Sequence, residues 1–370
     1  MTPGDPGPAG EPIDPLDREI GAYDYSLPPE RIAQEPLADR DASRLLVLDR
    51  TTGGLAHRRF SDLPGLLRPG DLLVTNRSRV FPARLLGRRA AGGEAEILLV
   101  RRHGADAWDA MVRPGRRLRA GAVVVIAPGF AVRVEGPAAA DAEPLGHTPS
   151  TPLRRIRLLL RGLDPDAAIE RHGHVPLPPY VRRADTPADR ERYQTVYARE
   201  RGSVAAPTAG LHFTADLLDR LRARGVERAE IILHVGPGTF RPVEVRDVLE
   251  HRVDPEPFTI PEGAAVACDR ARAEGRRIVA VGTTTTRALE SALDASGHLR
   301  EGDGETDLVI VPGFRFRAVG ALVTNFHLPR SSLLLLVSAF AGRERVLAAY
   351  TEAVRLGYRF YSYGDAMLLE

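Results

Sequence analysis

From residue 203 to the C-terminus, strand-like apolar runs alternate with segments of helical periodicity. The run SVAAP precedes the helix-like ADLLDRLRARG, and the later strand-like runs AEIILHV, RRIVAVG, DLVIV and ALVTNF have helical segments among them. Strands that alternate with helices in this way are typical of a mostly parallel sheet. We therefore expect an α/β fold whose large domain contains an open or barrel-like sheet.

Residues 81–160 follow a different pattern. Short strand-like runs such as EAEILLVRR, AVVVIAP and FAVRVEG are separated by Gly and Pro turns, with hardly any helical periodicity. This pattern predicts a small barrel or sandwich, and we interpret 81–160 as an inserted all-β (β-barrel) domain. The large α/β catalytic domain then comprises 21–80 and 161–370, and the Pro/Gly-rich, acidic residues 1–20 predict a disordered tail.

The composition excludes several classes of protein. A single cysteine, Cys268, cannot supply a disulfide framework or a cysteine-based metal site. The first residues lack the basic start and apolar stretch of a signal peptide, and the aliphatic run at 333–337 is too short to span a membrane. We expect a cytoplasmic protein without membrane contact. The net charge of +2 permits a nucleic-acid partner without requiring one.

Four of the strand-like runs end in small or polar residues. Ligands of parallel α/β folds bind beyond the carboxyl ends of the strands, so we expect these four ends to meet in one crevice. The candidate residues there are Thr208, Gly210, His212 and Phe213; His234, Gly236, Gly238 and Thr239; Thr283 and Thr284; and Asn325 and His327.

Each of these residues also has a structural interpretation. One histidine beside an apolar strand usually packs, but histidines at three strand ends favour a functional role for at least one. Threonines 283–286 could cap the next helix or form an anion site at its N-terminus. Gly236 and Gly238 could form a plain turn or let a ligand approach the backbone.

Aromatic and arginine residues occur together in two further segments. In RERYQTVYARER, Tyr193 and Tyr197 have helical spacing, which suits either stacking on a base or packing against the core. The C-terminal YRFYSYGDAMLL adds Arg359, Tyr361 and Asp365 as candidate binding residues. We expect no metal site, since HExxH is absent and HGH at 172–174 is interpreted as a rigid loop.

Several longer motifs occur together between residues 23 and 369. They include YDYSLPPERIAQEP, HGHVPLPPYVRR, VAAPTAGLHFT, LHVGPGTFRPV, TNFHLPRSSLLLLVSAFAGRE and YRFYSYGDAML. In these motifs and their order the chain resembles the S-adenosylmethionine:tRNA ribosyltransferase-isomerases of queuosine biosynthesis. The resemblance implies a large, barrel-like α/β domain that carries a small β-barrel.

The resemblance also implies a reaction. The ribosyl unit of S-adenosylmethionine moves to the aminomethyl group of 7-aminomethyl-7-deazaguanine at the tRNA wobble position. Rearrangement gives epoxyqueuosine, and adenine and methionine are released. The expected partners are tRNA carrying that base and S-adenosylmethionine as co-substrate, with no further cofactor, and we expect a monomer.

This chemistry needs a base at the ribose carbon beside the sulfonium and an acid for the departing adenine, and histidine suits both tasks. The candidates, in order of preference, are His212, His234 and His327. The segments 236–239 and 283–286 would hold the sugar hydroxyls and the methionine carboxylate. Tyr193, Tyr197 and the aromatic C-terminus would stack on adenine or on the tRNA base.

The sequence departs from the family pattern in three places: Arg77 replaces an acidic residue, Asp254 replaces a histidine, and Thr285-Thr286 replaces Ser-Val. The first two change charge, so they bear on the acceptor more than on the donor. Two alternatives therefore stay open. One is a relative that uses S-adenosylmethionine on another nucleobase or amine, and the other is an RNA-binding protein without catalysis.

Overall fold

The computed structural model describes residues 13–138, 153–240 and 242–370. The strands are β1 Arg44–Leu48, β2 Leu55–Arg59, β3 Leu72–Asn76, β4 Ser78–Val80, β5 Arg84–Arg89, β6 Glu94–Arg102, β7 Ala107–Arg113, β8 Val123–Ala127, β9 Phe130–Pro137, β10 Arg154–Leu160, β11 Glu200–Ser203, β12 Glu227–Leu233, β13 Glu256–Ile260, β14 Ile278–Val281, β15 Gly302–Thr306, β16 Ala321–Asn325 and β17 Ala366–Leu369. The α-helices are α1 Pro15–Arg18, α2 Leu63–Leu66, α3 Pro165–His172, α4 Asp189–Arg192, α5 Ala215–Ala223, α6 Glu262–Ala273, α7 Thr283–Ala292, α8 Ser332–Ala341 and α9 Arg343–Arg355. None of these helices is long and apolar enough to cross a bilayer.

The large body of the fold is a nine-stranded sheet in the order β15-β13-β12-β3-β14-β16-β17-β1-β2. Alternate residues of its strands face opposite sides: Val74 and Ile231 pack under α6 to α9, whereas Leu73 and Val279 pack under α2 and α5. The strands β12, β3, β14 and β16 are mutually parallel. This arrangement confirms the predicted α/β class.

The carboxyl ends of β12, β3, β14 and β16 lie at one edge of the sheet. Since β17 is antiparallel to β16 and parallel to β1, the amino ends of β17 and β1 reach the same edge. Asn325 is paired with Ala366, which is paired with Leu45. We call this the site edge.

Two predicted strands have other structures. The run at 203–207 is not a strand of the large sheet, because only Ser203 belongs to β11, which pairs with β4 in a separate two-stranded sheet. The run at 307–311 is irregular. A side chain binds part of its backbone instead, since Arg287 donates a hydrogen bond to the Leu308 carbonyl at 2.9 Å.

The sheet is also less parallel than the pattern predicts. The pairs β16–β17, β12–β13, β13–β15 and β1–β2 are antiparallel. Antiparallel neighbours need no crossover helix, and β12 reaches β13 through a loop with short 3-10 turns rather than an α-helix.

The structure confirms the predicted β-barrel. Six strands close in the order β10-β7-β6-β5-β8-β9, and every pairing is antiparallel. Buried side chains such as Phe81, Trp108 and Phe130 fill its interior. The barrel strands run from Arg84 to Leu160, within the predicted 81–160.

The predicted disordered tail, 1–20, falls partly outside the described residues. Residues 13–20 themselves are ordered, because Pro15–Arg18 forms a helical turn capped by Asp14. Ion pairs from Asp17 to Arg343 and from Arg18 to Asp247 attach this turn to the large body.

Candidate active site

A hydrogen-bond network joins three of the predicted residues at the site edge. Asn325 accepts a hydrogen bond from Thr208 Oγ1 at 3.0 Å, and its Nδ2 donates to His212 Nε2 at 3.0 Å. His212 Nδ1 lies 2.8 Å from Ser43 Oγ, just before β1. Phe60 stacks on the imidazole with ring centroids 5.0 Å apart. Because Asn325 donates to Nε2, the proton of a neutral His212 resides on Nδ1 and is donated to Ser43.

Burial holds two of the candidate histidines neutral. His327 lies just beyond β16, with Nε2 2.9 Å from Thr324 Oγ1, and its backbone N–H donates to the Tyr350 hydroxyl at 3.1 Å. Burial lowers the pKa of His327 to about 3. Burial likewise lowers the pKa of His212 to about 3, and the positive charge of Arg359 acts in the same direction.

Two clefts of about 290 Å³ each open beside this network. Asn325 connects them, because its Nδ2 contacts both His212 in one cleft and the Tyr361 carbonyl, at 3.3 Å, in the other. The first, here the cationic cleft, is lined by Pro36, Leu37, Asp39, Arg40, Ser43, Arg192, Leu211, His212, Ser362, Tyr363 and Gly364. The second, here the apolar cleft, is lined by Thr239, Pro242, His327, Leu328, Pro329, Ser331, Leu333 and Tyr361.

The loop after β12 is anchored by a buried ion pair. Glu256 Oε1 accepts hydrogen bonds from Gly236 N at 2.9 Å and from Thr239 Oγ1 at 3.0 Å. Its Oε2 accepts one from Arg287 Nη1 at 2.7 Å, and both charged side chains are less than one-tenth exposed. The position of Thr239 beside the apolar cleft therefore depends on Glu256 and Arg287.

The run of threonines begins α7, and its members divide into two pairs. The hydroxyls of Thr285 and Thr286 donate to the carbonyls four residues earlier, at 2.7 and 3.2 Å. The residue before the helix is Gly282, with φ +92°, and no side chain caps this N-terminus. Thr283 and Thr284, with the first N–H groups of α7, are therefore the part of the run suited to an anion.

His234 lies in a different environment. Its ring packs on Gly202, where a Cβ would come within 2.6 Å of Cε1. Its Nδ1 is buried and forms no hydrogen bond with the described residues. Burial lowers the pKa of His234, and Glu200 partly opposes that effect. Among the described residues, no group of three or more metal-ligating side chains is placed to hold a metal ion.

Four of the candidate residues lie in the core. Helix α4 ends at Arg192, so Tyr193 and Tyr197 do not share a helix face, and both rings are buried. Gly210 packs against Tyr197, because a Cβ there would lie 2.3 Å from the hydroxyl. Phe213 is fully buried among apolar side chains. Their environment matches the packing interpretation of these residues.

The C-terminal segment turns back into the site edge before β17. Buried Asp365 accepts hydrogen bonds from the backbone N–H groups of Arg44 and Arg359, at 2.9 and 2.8 Å. Tyr361 has φ +73°, and its ring centroid is 3.9 Å from that of Tyr180. Asp365 thus holds the turn, and of the three candidates in this segment it is Tyr361 that lines a cleft, the apolar one.

Of the two charge-changing departures, Arg77 lies between carboxylates and Asp254 lies beside a candidate glycine. Arg77 is placed between two carboxylates, with Nη2 3.4 Å from Glu200 and Nη1 3.7 Å from Glu230. Asp254 lies against Gly238, where a Cβ would come within 3.0 Å of Oδ2. Gly238 therefore allows a close approach of the backbone to a carboxylate.

A family model described as a queuosine biosynthesis protein matches residues 20–369. The chain belongs to this family. The S-adenosylmethionine:tRNA ribosyltransferase-isomerase of Moorella thermoacetica is 53% identical over 352 residues, which cover 95% of this chain and 99% of that protein. The enzyme of the same name from Heliobacterium modesticaldum is 52% identical over 353 residues, with the same coverage.

A solved structure agrees with these sequence relationships. The crystal structure of a Thermotoga maritima S-adenosylmethionine tRNA ribosyltransferase is 39% identical, with a TM-score of 0.53, and the match covers 94% of this chain and 100% of that one. At this coverage, the structural match includes both the large sheet and the barrel.

Sequence reasoning missed two pairs of residues in this queuosine biosynthesis protein. Ser43 and Phe60 contact His212, but nothing in their local sequence points to it. Of the second pair, Glu256 and Arg287, the arginine does carry a signal. Arg287 directly follows the threonine run at the end of a predicted strand, so its place in the sequence could have pointed to it.

The neutral histidines predict acid sensitivity of the fold. Below about pH 6.5 the unfolded chain protonates His212 and His327, whereas the folded chain does not, so stability falls as pH decreases. Each should contribute a slope of about 1.4 kcal/mol per pH unit once the unfolded histidine is protonated. Urea denaturation between pH 7.5 and 5 should show a shallower slope for His327→Gln than for the wild type. The exposed His298→Gln should keep the wild-type slope, and an unchanged slope in His327→Gln would contradict this account.

The buried pair predicts a large loss of stability on substitution. Glu256→Gln leaves the Arg287 charge buried without its carboxylate, so the free energy of unfolding should fall by about 3 kcal/mol. Glu227→Gln, which breaks an exposed pair with Arg270, should cost less than about 1 kcal/mol. Urea denaturation at pH 7.5 compares the two, and equal losses would show that the buried pair has no special role.

Proposed function

We propose that this chain transfers the ribosyl unit of S-adenosylmethionine to 7-aminomethyl-7-deazaguanine at the wobble position of tRNA and isomerises it to epoxyqueuosine. Adenine and methionine are the other products. The observation that carries this proposal is the similarity, over 95% of the chain, to enzymes named S-adenosylmethionine:tRNA ribosyltransferase-isomerase. Neutral imidazoles, hydroxyls and a helix N-terminus at one sheet edge supply groups that such a reaction needs.

The donor would lie between the apolar cleft and the N-terminus of α7. The methionine carboxylate would accept hydrogen bonds from the backbone and hydroxyls of Thr283 and Thr284, where the helix dipole favours an anion. Thr239, held by Glu256, would bind a ribose hydroxyl at the entrance of the apolar cleft. The adenine would pack along the apolar cleft beside Tyr361.

His327 is the best-placed general base. Its Nε2 is engaged by Thr324, and its Nδ1 forms no hydrogen bond within the described residues. If Nε2–H donates to the threonine oxygen, Nδ1 presents a lone pair to the acidic C–H beside the sulfonium. A neutral imidazole can take that proton, and the imidazolium formed in this way can pass it to the departing adenine.

His212 acts through Asn325 in this proposal. Both of its nitrogens are used, one toward Ser43 and one toward Asn325, so no lone pair is left for the donor. It fixes the amide orientation in which Asn325 Oδ1 accepts from Thr208 and Nδ2 points to the two clefts. This reverses the preference given by sequence alone, and His234 stays a packing residue in this proposal.

The acceptor would approach from the cationic cleft. Arg40 and Arg192 place positive charge there, which suits a nucleotide with its phosphates. We further propose that the enzyme acts as a cytoplasmic monomer and needs no cofactor beyond S-adenosylmethionine.

One assay separates this proposal from its alternatives. The protein is incubated with S-adenosylmethionine and tRNA bearing 7-aminomethyl-7-deazaguanine, and free adenine and methionine are measured by chromatography. Their release in equal amounts supports the proposal. Release with another amine or nucleobase only would favour a relative with a different acceptor, and tight tRNA binding without any turnover would favour a non-catalytic RNA-binding protein.

The same assay tests the role of His327. His327→Gln should lower kcat at least about a hundredfold, because the base is lost, while calorimetry shows that S-adenosylmethionine still binds. His212→Gln should have a smaller effect on kcat, and the exposed His298→Gln should match the wild type. A near-normal rate in His327→Gln would move the base to His212 or His234.

A further inference from the structure

Positive charge is concentrated in the barrel. Residues 84–160 contain 13 arginines and seven carboxylates, a formal net charge of +6, whereas the whole chain carries +2. The rest of the chain is therefore net negative, at −4. By net charge alone, the phosphates of an RNA would be attracted to the barrel and repelled by the rest of the chain.

The strongest feature of the barrel surface is the segment 113–119 between β7 and β8, here the arginine loop. Arg113, Arg116, Arg117 and Arg119 are all exposed, and none forms an ion pair or side-chain hydrogen bond with the described residues. The large body also has exposed arginines without an ion pair among the described residues, such as Arg224 and Arg315, but the arginine loop places four of them within seven residues.

The arginine loop is held in place from within the barrel. Leu118 is fully buried in the barrel core, although the arginines on either side of it are exposed. The backbone of the loop is closed by hydrogen bonds from Arg117 N to the Pro114 carbonyl and from Ala122 N to the Arg119 carbonyl, at 3.1 and 3.0 Å. The guanidinium groups therefore project from an ordered support, which limits the entropy lost on binding.

Two strand arginines extend this surface. Arg88 of β5 is paired with Val125, and Arg133 of β9 is paired with Val123, so both flank β8 on the outside of the barrel. Buried Val124 shows which face of β8 points inward. Of the nearby carboxylates, Glu96 is already paired with Arg84, and Glu94 faces Arg88 across the strands. The surface keeps a clear excess of positive charge.

We propose that the arginine loop, with Arg88 and Arg133, docks the phosphodiester backbone of tRNA outside the site edge. The identity of the RNA rests on the proposed function. Unpaired guanidinium groups bind phosphate oxygens through two parallel hydrogen bonds. The chain connects the barrel to the large body at the end where β5 begins and β10 ends, and the arginine loop lies at the opposite end. It is therefore remote from these connections. In this proposal it contacts nucleotides other than the reacting one.

The experiment compares two doubly substituted full-length proteins. R116Q/R117Q removes two charges from the arginine loop. R224Q/R315Q removes two exposed charges near the sheet edge opposite the site edge, and neither of those arginines forms an ion pair with the described residues. The affinity for tRNA bearing 7-aminomethyl-7-deazaguanine is measured without S-adenosylmethionine over a range of salt concentrations, together with adenine release at varied tRNA concentration.

R116Q/R117Q should weaken tRNA binding at least about tenfold at low salt and reduce the slope of log K against log salt by about one to two. Its KM for tRNA should rise, while kcat at saturating tRNA and the affinity for S-adenosylmethionine stay at wild-type values. R224Q/R315Q should bind tRNA like the wild type. Unchanged affinity and slope in R116Q/R117Q, or an equal loss in R224Q/R315Q, would overturn the docking surface. Absence of adenine release by the wild type would instead count against the proposed function, since docking is measured without turnover.

Discussion

The parallel pairing of β12, β3, β14 and β16 is the constraint on which the candidate site depends. It places four carboxyl ends at one edge, and candidate residues follow the ends of β12, β14 and β16. The antiparallel turn into β17 then brings Asp365 and Ser43 to the same edge. A site assembled from segments more than two hundred residues apart is thus a consequence of strand direction.

Burial decides the chemical state of the groups that this edge assembles. An imidazole removed from water loses its proton more readily, which is why His212 and His327 are neutral. A carboxylate removed from water needs a cation, and Glu256 has one in Arg287. The same low polarity that keeps the histidines neutral would destabilise the loop after β12 without that pair.

Patterns along the sequence predict the fold class and the barrel but not the contacts that assemble the site. Alternation of strands and helices identifies the α/β class, and dense turns identify the barrel, because both follow from local periodicity. The run at 203–207 looks like a strand but is not one of the large sheet, since a short apolar run can be buried as a loop when its N–H groups find a carbonyl such as that of Val235. The link from Ser43 to His212 spans 169 residues, and no local pattern encodes it.

The departure at Arg77 changes the electrostatics of the site less than its charge suggests. In isolation, a cation in place of an acid shifts the local charge by two units, enough to repel a protonated aminomethyl group. Arg77 lies between Glu200 and Glu230, which offset part of its charge. The compensation is incomplete, because Glu230 also pairs with Arg199 and Arg228. This partial compensation is compatible with the proposed acceptor, which carries an amine, and the excess of positive charge on the chain lies on the barrel.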